Sequence, residues 1–125
     1  MSHPALPAAD AAFAAALAES PRGPVRDGAF ALWLVVRAAL GVAPPLGPAP
    51  KHPERLKAVA ARLRSLNTPG PLRRSLTAAM ADLHRGTAPA VVLSHLIAPT
   101  ADTLGRRLAD GVAAAARAAR PPKAA

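Results

Sequence analysis

VRDGAFALWLVVRAAL, residues 25–40, is the most hydrophobic stretch of the chain and decides its fold. Phe30, Trp33, Leu34 and Arg37 recur at helical spacing on one side, and Val35, Val36 and Leu40 widen the apolar surface. A helix that is apolar on most sides is buried on most sides. The stretch is therefore predicted as the central helix of a bundle. A strand through residues 32–36 is the competing reading, but the chain offers it no second strand to pair with.

Proline punctuates the chain on either side of this helix. Before it, residues 8–20 are nearly all alanine, with Phe13 and Leu17 as a thin i, i+4 stripe, and Pro21-Arg22-Gly23-Pro24 ends that helix. After it, residues 42–50 (VAPPLGPAP) form a stiff Pro-rich connector. A third helix starts with Pro53 at its first position and Glu54 in its first turn, both favourable there. Its apolar seam is Leu56, Val59, Leu63 and Leu66. Arg55 and Arg62 flank the seam on one side, Lys57 and Arg64 on the other.

The break Asn67-Thr68-Pro69-Gly70-Pro71 precedes a fourth helix over residues 72–85, with Leu72, Leu76, Met80 and Leu83 inward and Gly86 as its C-cap. Thr87 is expected to cap a short fifth helix carrying Val92, Leu93, Leu96 and Ile97, which Pro99 ends. Thr100 then caps a sixth, with Leu104, Leu108 and Val112 inward. Within it, Arg106 is expected to pair with Asp102 and Asp110, and Gly105 and Gly111 to mark a close helix contact. Residues 118–125 read as a frayed tail. The expectation is a single domain over residues 1–125, all-α, a small bundle of five or six short helices.

Composition narrows function. The chain has no cysteine, which excludes disulfides, thiolate catalysis and Cys-based zinc sites. The apolar run over residues 28–42 is broken by Arg37 and is shorter than the roughly 20 residues of a membrane span. The N-terminus lacks a basic signal-peptide region, so a cytoplasmic location with no membrane partner is expected. Catalytic motifs are absent: no HExxH, GxSxG, Walker A loop or dinucleotide fingerprint. Asp82, His84 and His95 invite a metal reading, but Asp82 and His84 are two apart and do not share a helix face. No enzyme activity, cofactor or small-molecule substrate is expected.

Charge is the remaining signal. Sixteen Lys+Arg stand against seven Asp+Glu, a net +9. Between residues 51 and 74 Glu54 is the only acid among seven bases. A positive field of this kind favours polyanions and the release of their counterions. Arginine suits bidentate phosphate contact, and with no Tyr, and Trp33 and both Phe on apolar helices, a base-stacking platform is not expected. Pairing with acidic protein subunits, plain solvation and the Ala/Arg/Pro bias of a GC-rich coding sequence would each also account for these arginines.

The C-terminal half resembles the small helical subunit of type I CRISPR effector complexes, the Cascade small-subunit family. The segments that carry the resemblance are Leu72-Arg73-Arg74-Ser75-Leu76, Leu83-His84-Arg85-Gly86, Val92-Leu93-Ser94-His95-Leu96-Ile97 and Leu104-Gly105-Arg106-Arg107-Leu108-Ala109. The match is one of pattern, and Leu108 stands where the family pattern has an aromatic residue. The resemblance implies a non-enzymatic subunit that lies along guide RNA and target or displaced DNA strand, among other protein subunits, while guide pairing reads the sequence. The residues it points to for phosphate contact are Arg55, Arg62, Arg64, Arg73, Arg74, Arg106 and Arg107, with Arg107 the freer of the last two. A helical adaptor that binds only protein, and a nucleoid-type DNA binder, are the alternatives.

Overall fold

The computed structural model describes residues 6–19, 23–41 and 54–119. They form six helices and no strand: α1 (Leu6–Glu19), α2 (Pro24–Ala39), α3 (Glu54–Ser65), α4 (Gly70–His84), α5 (Pro89–Leu104) and α6 (Arg106–Ala119). The all-α bundle expected from periodicity is the fold. Pro53 and the whole of the expected connector, residues 42–50, lie outside the described residues, as does the tail from residue 120. Ala118 and Ala119, expected in that tail, belong to α6.

Helix α2 is central and touches each of the other five. Leu32, Val35 and Val36 on it are fully buried, and Ala29, Ala31, Leu34, Ala38 and Ala39 are nearly so. Around them close Phe13 of α1, Val59 of α3, Leu72 and Leu76 of α4, Leu93 and Leu96 of α5, and Leu108 and Val112 of α6. Gly28 lets α2 approach its neighbours. A Cβ there would stand 3.1 Å from Pro69 Cδ, 3.3 Å from Leu72 Cδ2 and 3.4 Å from Leu104 Cδ2. At Gly105, where a close helix contact was also expected, there is open space.

The polar side of α2 is tied to α1. Asp10 accepts hydrogen bonds from Trp33 Nε1 and, at 2.7 Å, from the Arg37 guanidinium. The Trp33 ring lies on Phe13, with centroids 6.0 Å apart and planes 12° from parallel. Trp33 is therefore an anchor between two helices rather than a side chain of the deep core.

Helix α4 closes with a Schellman turn. Gly86 takes φ +88°, its N–H donates to the Leu83 carbonyl at 3.1 Å, and the Thr87 N–H donates to that of Asp82 at 2.9 Å. Thr87 does not cap α5; Ala88 holds that position, and Pro89 follows in the first turn. The helix break expected at Pro99 is also absent. Helix α5 runs through Pro99 and ends at Gly105, whose φ of +99° makes the turn into α6. Thr100 is not a cap but a fully buried residue inside α5. Burial of Leu93, Leu96 and Thr100 against the rest of the bundle outweighs the local cost of an interior proline.

Candidate nucleic-acid interface

Helix α3 is the peripheral helix and, among the described residues, packs only on α2 and α4. Val59 is its buried anchor, while Leu63 and Leu66 are half-buried. Of the two basic rows expected beside this seam, one member of each is placed, and these two face opposite ways. Arg62 borders a groove toward α1 and α2, and Arg64 borders another toward α4. The Leu56 and Arg55 side chains lie outside the described structure; Arg55 is placed only as the second residue of α3.

The two grooves differ in charge. The first, about 350 Å³, is lined by Arg26 and Arg62 together with Asp27 and the rings of Phe30 and Trp33. The Arg62 guanidinium carbon lies 5.5 Å over the Phe30 ring, a stacking that leaves its in-plane N–H groups for an anion. Asp27 contributes a negative charge to this groove and also accepts a 2.9 Å hydrogen bond from the Asn67 N–H.

The second groove, about 470 Å³, lies between α3 and α4, and among the described residues no carboxylate lines it. Arg64 of α3 and Arg73 of α4 both line it, beside Leu63, Leu76 and Met80. Arg73 stands near the N-terminus of α4, whose first turn has no acidic residue and no side-chain cap. Arg74 adds to this charge. Its Nη1 comes within 3.8 Å of where a Cβ of Gly70 would be, so the guanidinium reaches back over the start of the helix. A helix N-terminus already carries about half a positive charge, and cations beside it are unfavourable by about 0.3–1 kcal/mol each. Arg64, Arg73, Arg74 and the end of α4 thus concentrate positive charge where an anion would relieve it.

The remaining candidates lie elsewhere. Arg106 and Arg107 open α6, which touches neither α3 nor α4 among the described residues. Here the expectation is reversed. Arg107 pairs with Glu19 of α1 at 3.2 Å, while Arg106 is exposed and makes no ion pair among the described residues. Gly105 accounts for the Asp102 half, because it puts Asp102 on α5 and Arg106 on α6 and so breaks that i, i+4 relation; nothing in the structure explains why Arg106 leaves Asp110, which shares α6 with it. Asp82 pairs with Arg85, and among the described residues no group of three or more His, Cys, Asp or Glu is placed to hold a metal.

Sequence reasoning missed Arg26, which shares the first groove, and Thr68, which lines the second. Nothing local marks either, since each is brought to its groove by the packing of α3. Among the described residues no helix is long and apolar enough to cross a membrane. In comparisons with known proteins, no family model, no curated protein and no solved structure matches the chain.

Proposed function

We propose that this chain is a non-enzymatic subunit that binds nucleic-acid backbone. The observation that carries this is that Arg64 and Arg73 together line the α3–α4 groove, with no carboxylate among its described lining residues, reinforced by Arg74 at the start of α4. Guanidinium groups contact phosphate oxygens in bidentate fashion and displace condensed counterions, whichever bases the strand carries. Arg62, on the opposite flank of α3, and Arg106, on α6, provide separate contacts. Phosphate contact of this kind positions a strand and leaves its sequence to be read by other means.

The specific form of this role is a small subunit in a CRISPR-type ribonucleoprotein, contacting guide RNA and target or displaced DNA strand. Its support is the sequence resemblance. In the fold, Leu72–Leu76 open α4, Leu83–Gly86 close it, Val92–Ile97 fill the middle of α5, and Leu104–Ala109 span the turn into α6.

The test is affinity capture of the tagged protein from its native cells, with half of the lysate treated with nuclease. The expected result is a set of protein partners that survives nuclease and an RNA of one discrete length in the untreated half. Heterogeneous DNA without a stable protein partner would replace the ribonucleoprotein role with a nucleoid-type one. Stable protein partners without nucleic acid would overturn backbone binding and leave a protein adaptor.

A further inference from the structure

We propose that the α3–α4 groove is also a binding site for a small amphipathic anion, an aliphatic body carrying a phosphate or carboxylate head. At about 470 Å³ the groove has the size of small-ligand sites, which span roughly 300–1,000 Å³. Leu63, Leu76 and Met80 supply apolar walls, and Arg64 and Arg73 supply the charge. A phosphate backbone uses only the arginines and leaves the apolar walls wet. Among the described residues no aromatic ring lines the groove, so a nucleobase finds no stacking partner there. An alkyl chain, by contrast, buries against branched side chains and an adaptable methionine.

Charge selects the head group. Two guanidiniums, with no carboxylate among the described lining residues, repel a cation and leave a neutral head unrewarded. Thr68, also in the lining, is buried, and its Oγ1 has no hydrogen-bond partner. That oxygen is itself closed off from the groove, so the two arginines alone choose the head. The site shares Arg64 and Arg73 with the backbone-binding role but does not depend on it, because its walls serve a part of the ligand that nucleic acid lacks.

The experiment is a methyl NMR titration of the full chain with decyl phosphate and decanoate, kept below micelle formation. Decanol, decyltrimethylammonium and inorganic phosphate are the controls. Both anionic amphiphiles should give saturable shifts confined to the methyls of Leu63, Leu76 and Met80, with affinity roughly tenfold or more above the neutral and cationic amphiphiles. Inorganic phosphate should leave those methyls in place. Arg64→Gln/Arg73→Gln, at two exposed positions, should bring decyl phosphate down to the affinity of decanol.

Ala60→Phe narrows the groove and keeps both arginines, so it should abolish amphiphile binding while RNA affinity and its salt dependence stay unchanged. Failure of amphiphile binding alone would overturn this site and leave backbone binding intact; loss of RNA binding alone would do the reverse. Equal affinity for all three head-group types, or shifts spread over the whole protein, would overturn the proposal. So would shifts of the same methyls on raising the protein concentration without ligand, which would show a second copy in the groove.

Discussion

Asp10 shows how much one partly buried carboxylate does in this fold. It holds Trp33 and Arg37 of α2 against α1, and the side chains of Asp10 and Arg37 are 28% and 15% exposed. Asp10→Ala would remove the acceptor of the Trp33 N–H and one acceptor of the Arg37 guanidinium, and an unsatisfied buried donor costs about 1–3 kcal/mol. A lower urea midpoint with an unchanged slope is the expected outcome. At the candidate interface the arginines divide by their surroundings. Arg64→Glu/Arg73→Glu should weaken binding to RNA and DNA of any sequence alike. Arg107→Glu should do so less, because Glu19 already engages that guanidinium. Fluorescence anisotropy with strands of unrelated sequence checks both, and a loss confined to one sequence would contradict a backbone contact.

At the scale of elements, two residues mark where local rules and tertiary packing diverge. Gly28→Ala gains helix propensity of about 1 kcal/mol, yet the new methyl would press on Pro69, Leu72 and Leu104. A lower melting temperature is expected; a rise would show that these contacts yield freely. Pro99→Ala should act in the opposite direction. It restores an interior helical N–H worth about 3 kcal/mol, less up to about 1 for the freer unfolded chain. A net gain of about 2 kcal/mol in chemical denaturation is expected. The same two positions show what the sequence concealed. Most helix boundaries were legible because proline or glycine stood at them, as at Pro24, Gly86 and Pro89. Pro99 was misleading because its helix is held by the burial of Leu93, Leu96 and Thr100, which no local pattern displays. The central role of α2 was legible from its apolar breadth, and the opposed rows of Arg62 and Arg64 from helical period alone. The meeting of Arg64 with Arg73 was not, since it depends on how α3 lies along α4.

On the scale of the whole molecule, the chain combines an alanine-rich core with a net charge of +9. Alanines let helices come close but bury little area each, so the bundle gains modestly from burial, and its like charges repel one another. A polyanion that binds only the folded state would stabilise it through mass action. Arg64, Arg73 and Arg74 lie together on one edge of the bundle, with Arg62 on the opposite flank of α3. Field and contact are therefore joined around one peripheral helix rather than spread evenly.

The salt dependence of nucleic-acid affinity tests this most directly. Binding of a single-stranded RNA of arbitrary sequence would be measured across a range of monovalent salt, for the native chain and for Arg64→Gln/Arg73→Gln. Four arginine–phosphate contacts predict a slope of log affinity against log salt near roughly −3, flattening by about 0.7 for each arginine removed. Affinity that does not change with salt, or a slope that the double substitution leaves untouched, would contradict backbone binding at the α3–α4 edge.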